Sequence, residues 1–236
     1  MDAAAATVLA RVRGRCGELV LRGAAGHFEV IANGVFLMDT RDGRSERLLV
    51  RAAADRMPAG GHVLIGGLGV GFSLAAAVEH PRVRRVTVVE REPAVVEWVR
   101  GPLAHLCNGA LDDGRVRCVE ADLADYLAPG PSDPGPCGPG PGPFDQSPFD
   151  QSLFDAICLD VDNGPEWTVT DGNRWLYDDA GLAMIRSRLT GGGVLAVWSA
   201  SAAPAFATRL RARFDEIEVL AVPVPRGEPD TVFVAW

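Results

Sequence analysis

A chain of 236 residues with 47% hydrophobic and 23% charged side chains is the size of one full domain and can bury a core, which excludes a disordered chain. Its 23 basic residues are all arginine, so no lysine is present for a Schiff base, a pyridoxal-phosphate anchor or a phosphate-binding P-loop. The net charge of −8 argues against a nucleic-acid surface, which needs a positive stripe.

From Cys16 to Met38 the chain reads as short strands and turns. GELVLR and HFEVIA alternate, and Asn33-Gly34 leads into VFLM; Asn-Gly between apolar runs favours a tight hairpin because both residues tolerate positive φ. A helix is expected from about Ser45 to Met57. Residues 1–58 thus read as a small β-rich unit with a linking helix, and 59–236 as the main domain. There, strand His62–Ile65 precedes the glycine turn GGLGVG, and a helix from Phe72 stops at His80-Pro81. Strands are expected at 84–90, 115–120, 154–160 and 194–199, with helices opening at Glu92-Pro93, running from Asp178 to Leu189 before Gly191-Gly192-Gly193, and covering Pro204–Phe214. EIEVLAV (216–222) and TVFVAW (231–236) are joined by a connection too short for a helical crossover, so they are read as antiparallel neighbours. Residues 129–152, rich in proline and glycine and ending in a tandem FDQS repeat, read as a loop insertion.

The strongest local signal is strand, then Gly67-Leu68-Gly69-Val70-Gly71, then helix, where glycines let the backbone approach a nucleotide closely. Glu90 follows Gly71 by 19 residues at the carboxyl end of the next strand, where a carboxylate can accept both ribose hydroxyl hydrogens. Asp122 follows the third strand, placed to meet an adenine amino group. The third glycine of the dinucleotide motif is missing, and a terminal antiparallel hairpin fits poorly with a nicotinamide-dependent oxidoreductase. Both features fit an S-adenosylmethionine-dependent transferase: a Rossmann-like, seven-stranded methyltransferase α/β fold of order 3-2-1-4-5-7-6 with its last strand antiparallel, preceded by an N-terminal β-hairpin unit.

Five scattered cysteines without a C-x-x-C pair and four histidines without ligand spacing give no support for a metal site or a disulfide framework. MDAAAATVLARVRGRC has too short an apolar run for a secretory signal, and no stretch approaches a membrane span, so a cytoplasmic protein is expected.

VLIGGLGVGFSL, VTVVEREPAVVEWVR, DDGRVRCVEADLADYL, FDAICLDVDNGPEW and LTGGGVLAVWS together resemble the spermidine synthase family, as does NGVFLMDTRDGRSER in the β-rich unit; the likeness runs from residue 17 to about 200. The resemblance implies transfer of an aminopropyl group from decarboxylated S-adenosylmethionine to a polyamine, by a homodimer. It assigns Gly67 and Gly71 to the nucleotide turn, Glu90 to the ribose, Asp122 to adenine, and Asp160 to the first acid of the family's D-x-x-D segment. The fourth position of that segment is Asn163, with Asp162 beside it. The family's glycine turn carries an acid where this chain has Gly69, and losing a charge-assisted hydrogen bond to a donor amine costs about 1.5–3 kcal/mol.

A sulfonium donor is already activated, so the protein has to position both partners and keep an amine acceptor unprotonated. Asp160 and Asp162 are the expected acids for orienting the amine and taking its proton, with Asn163 orienting the acceptor. Glu166, Trp167, Trp175 and Tyr177 read either as walls of an acceptor pocket, with aromatic faces suited to a cation, or as loop packing. The co-substrate is expected to be S-adenosylmethionine or its decarboxylated form, with methyl or aminopropyl transfer both open. A small-molecule methyltransferase and a nucleoside-binding module without catalysis are the alternatives.

Overall fold

The computed structural model describes residues 6–24, 26–128, 152–168, 171–225 and 227–236. The insertion read at 129–152 lies, but for Ser152, outside the described residues.

Four antiparallel strands open the chain: β1 (Thr7–Gly14), β2 (Gly17–Ala24), β3 (His27–Ala32) and β4 (Val35–Asp39), paired in sequence order. The expected hairpin is present. Asn33 and Gly34 have φ of 51° and 78°, and Ala32 pairs with Val35 across them, the geometry that Asn-Gly adopts at low cost. Strand β1 was absent from the sequence reading. Its residues are mostly exposed, so the apolar–polar alternation that marks a half-buried strand is weak.

Helix α1 (Arg44–Ala54) follows and buries Leu49, Val50 and Ala53. It packs on α2 and on the face of the main sheet, so its contacts lie with the larger domain. That domain runs β5 (Gly61–Gly66), α2 (Phe72–Glu79), β6 (Val83–Glu90), α3 (Pro93–Arg100), β7 (Val116–Glu120), α4 (Leu123–Leu127), β8 (Phe154–Leu159), α5 (Asp179–Ser187), β9 (Leu189–Ser199), α6 (Pro204–Arg211), β10 (Ile217–Val222) and β11 (Asp230–Ala235). A 3-10 turn covers Asp171–Tyr177 before α5.

The seven strands lie in the order β7-β6-β5-β8-β9-β11-β10, which numbered within the domain is 3-2-1-4-5-7-6. Strands β5 to β9 run parallel, and β11 is antiparallel to both β9 and β10. Period-two alternation divides the core. Val63, Ile65, Val86 and Val88 pack with α1, α2 and α3 on one face, while Leu64, Val89, Ile157 and Leu159 pack with α4, α5 and α6 on the other. Leu19, Leu21 and Val30 of the N-terminal sheet join the first of these clusters.

One local expectation needs correction, and one element is new. Gly191–Gly193 do not end a helix, because α5 stops at Ser187 and the glycines lie inside β9. There the pairing steps from Phe154–Leu189 to Ala156–Val194, a bulge that glycine accommodates. Helix α4 is a short addition, started by Asp122, whose carboxylate accepts a hydrogen bond from the Ala124 amide at 2.8 Å.

Candidate active site

Chain order reverses between β5 and β8, and at such a switch point the carboxyl ends of parallel strands leave a crevice. A cavity of about 350 Å³ opens there. Its walls come from the glycine turn, the ends of β6, β7 and β8, the N-terminal sheet and α1.

The glycine turn is locked to its neighbours. Gly67 donates to the Val89 carbonyl at 2.9 Å, and the Asp160 amide donates to Gly66 at 2.8 Å. Gly67 has a φ of 89°, and a Cβ there would run into the carbonyl oxygen of Asp160, so only glycine fits. Gly71, also at positive φ, caps α2 and is not among the cavity-lining residues, whereas Gly67 and Gly69 are.

Glu90 is held at both oxygens. One accepts from the Leu68 amide at 2.9 Å and the other from the Glu92 amide at 2.8 Å. The side chain is buried, and burial raises its carboxyl above the usual range while the Glu92 and Leu68 amides pull it back. Each oxygen keeps lone-pair capacity beyond these bonds, which two vicinal hydroxyl donors would use. Asp122 lies on the same wall, one oxygen committed to capping α4 and the other 3.5 Å from the Arg91 guanidinium.

Glu92 ties the N-terminal sheet to this region. Its carboxylate accepts from the amides of Arg15 at 2.8 Å and Cys16 at 3.1 Å, in the β1–β2 turn. Cys16, Glu18 and Leu19 are thereby held as part of the cavity wall.

At the far end, Asp160 accepts from the Ser73 hydroxyl at 2.7 Å, and Asp162 accepts from the Asn173 side-chain amide at 2.8 Å. Asp162 has a φ of 54°, a left-handed conformation that aspartate tolerates better than most residues. Both acids line the cavity. Asn163 is buried and offers its carbonyl to the Ala200 amide; its side chain is not part of the wall. Glu166 and Trp167 are exposed, the latter 59%, and lie outside the lining. Tyr177 is fully buried, donates to the Val161 carbonyl at 3.0 Å, and packs edge-on against Phe206. Trp175 packs against the same core cluster. For Trp175 and Tyr177 the structure therefore favours loop packing over an acceptor wall.

Glu46, Asn173 and Arg91 line the cavity without having been singled out in the sequence. Glu46 did leave a signal. It stands three, four and seven residues before Leu49, Val50 and Ala53, an acid on the apolar stripe of α1. Burial and then repulsion from Asp160 raise its carboxyl well above the usual range. Asp160 is raised as well, by burial first, with the Ser73 hydroxyl acting in the opposite sense and Asp230 and Glu90 adding repulsion. Among the described residues no group of three His, Cys, Asp or Glu side chains is placed to hold a metal ion, and no helix is long and apolar enough to cross a membrane.

A seven-stranded, methyltransferase-like α/β sheet thus gathers a glycine turn, a carboxylate at the end of its second strand and acids just beyond its fourth around one cavity. Solved structures agree on the fold. Spermidine synthase from Thermotoga maritima superposes with a TM-score of 0.70 at 16% identity, covering 97% of this chain and 71% of that one. A spermidine synthase in complex with the transition state analogue AdoDATO gives 0.70 at 17% identity with the same coverage. In sequence, 68 residues (28% of the chain) are 43% identical to polyamine aminopropyltransferase 1 of Streptomyces coelicolor. A longer stretch of 174 residues (69% of the chain) is 29% identical to polyamine aminopropyltransferase 2 of Pseudomonas aeruginosa. These matches span 13% and 42% of those two relatives, less than half the length of either. No protein-family model matches the chain. The likenesses in sequence and in fold together support a spermidine synthase-like family.

Proposed function

We propose that the chain is a spermidine synthase-like transferase, moving an aminopropyl group from decarboxylated S-adenosylmethionine to a small amine. The observation that carries this reading is a single cavity with Glu90 and Asp122 at one end and Asp160 and Asp162 at the other. The adenosine of the donor lies along Gly67–Gly69 with its ribose hydroxyls on Glu90, which sets the sulfonium between the two ends. The acceptor reaches the acidic end as an ammonium and loses one proton. Its nitrogen then attacks the methylene carbon next to sulfur, a C–N bond forms as the C–S bond breaks, and the electron pair stays on sulfur as methylthioadenosine leaves. Asp160, held by Ser73, orients the attacking nitrogen, and Asp162, fixed by Asn173, holds the rest of the amine. Positioning and proton removal are the main demands on the protein, because the leaving group is already charged.

Gly69 favours a second reading. Without an acid in the glycine turn, the donor's amine has no partner there, so ordinary S-adenosylmethionine and methyl transfer fit the same seat. Product analysis separates the two. With a panel of diamines, methylthioadenosine and an aminopropylated amine are expected from decarboxylated S-adenosylmethionine, whereas S-adenosylhomocysteine formed from the carboxylated donor marks methyl transfer. Binding of both donors without turnover would leave a nucleoside-binding module and overturn the transferase reading.

A further inference from the structure

Aminopropyl transfer from a cationic donor to a protonated amine yields a protonated secondary amine, a neutral thioether and one free proton. That proton is released inside a cavity floored by buried carboxyl groups. A route out of it is present. Glu46 lines the cavity from the first turn of α1, and its Oε2 lies 2.8 Å from the Ser45 hydroxyl. The same hydroxyl lies 2.7 Å from Oδ2 of Asp230, at the start of β11. Ser45 is almost fully buried, while Asp230 is half-buried.

A serine hydroxyl has one hydrogen to donate. With a carboxyl oxygen at hydrogen-bond distance on either side, it can donate to only one of them, and the other satisfies the contact by donating its own proton to the serine oxygen. The Glu46–Ser45–Asp230 chain is therefore built to hold one proton more than two carboxylates would, and to hold it in either of two places. Ser73 links this chain to the acceptor site, its hydroxyl 2.7 Å from Asp160 and 3.3 Å from the main-chain carbonyl of Glu46. Asp160, at the end of β8, and Asp230 both act electrostatically on Glu46, and Asp42 and Arg44 act on Asp230 at its outer end.

We propose that Glu46, Ser45 and Asp230 form a proton relay that carries the proton lost by the acceptor amine from the cavity to the surface; the inference rests on the transferase reading above. Glu46 takes the proton from the ammonium on its cavity-facing oxygen. After the carboxyl turns, that proton passes to the Ser45 oxygen as the serine hydrogen passes to Asp230, which releases it to water. No bond other than O–H and N–H changes, and no further reactant is needed.

The test compares the unaltered protein with Ser45→Ala and Asp230→Asn under saturating donor and amine at neutral pH. Both variants are expected to lower kcat by about tenfold or more, as general acid–base steps do when interrupted. Affinity for methylthioadenosine, measured by calorimetry, should stay unchanged in both, which also reports that the site is folded. In Asp230→Asn, added imidazole should restore kcat in proportion to its concentration, because a mobile base can take over the outer end. Unaltered kcat in either variant, or a loss in Asp230→Asn that imidazole leaves untouched, overturns the relay while the transferase reading stands. A lack of turnover in the unaltered protein overturns that reading and the relay with it.

Discussion

At one end of the cavity, Glu90 takes its position from the amides of Leu68 and Glu92, so strand, turn and carboxylate form one local unit of β5, β6 and the segments that follow them. At the other end, Asp160 just beyond β8 meets Ser73 from α2, and Glu46 from α1 is joined through Ser45 to Asp230 from β11. The first end is built by residues within about one supersecondary unit, the second by four elements spread over most of the chain. Main-chain donors fix a carboxylate wherever the fold is made, whereas side-chain bridges depend on every element reaching its place. The Glu90 end is thus written into the backbone of this protein, and the Asp160 end into its tertiary packing.

Short of removing Glu90 itself, the largest change that would sharpen this contrast is Gly69→Asp. Its φ of 54° lies in a region that aspartate tolerates, and an added Cβ would meet only the Met38 sulfur at an ordinary 3.6 Å. A charge-assisted hydrogen bond of about 1.5–3 kcal/mol to the donor amine amounts to a preference of roughly ten- to hundredfold. The variant should therefore shift relative affinity by that factor toward decarboxylated S-adenosylmethionine over the carboxylated form. An unchanged ratio would mean that the donor's tail does not pass this turn.

A smaller effect belongs to the other end and is read in stability. Glu46, Asp160 and Asp230 all have carboxyl groups raised in the folded protein, with burial as the first cause in each. Such groups stabilise the fold fully below their unfolded values, and that contribution is lost as pH rises through the folded ones. The thermal midpoint should thus fall between pH 5 and pH 8, and Glu46→Gln should flatten the fall, each kcal/mol appearing as about 2–4 °C in a chain of this size. Parallel pH dependence in both proteins would show that Glu46 carries no such burden.

The same contrast governs what the sequence revealed. The glycine turn, Glu90 and Asp122 were legible because strand, turn and acid recur at short spacing, and the terminal hairpin identified the strand order through its brief connection. Asp160 and Asp162 were reached through resemblance, and the structure puts both on the cavity wall. Glu46 was passed over although it interrupts an apolar stripe, and Asp230 lies 184 residues further along, so no local pattern could join them. For Tyr177 and Trp175 the sequence left an acceptor wall and loop packing equally open. Aromatic residues beside an acidic loop suit a cationic ligand and a packed core equally well, and only burial separates the two.

The central claim is that the nucleoside sits over Gly67–Gly69 with its ribose on Glu90, and calorimetric titration of methylthioadenosine into the unaltered protein and Glu90→Ala tests it most directly. Loss of two charge-assisted hydrogen bonds, each about 1.5–3 kcal/mol, predicts an affinity lower by about a hundredfold or more in a variant that still shows a cooperative thermal transition. Equal affinity in the two proteins would contradict that seating.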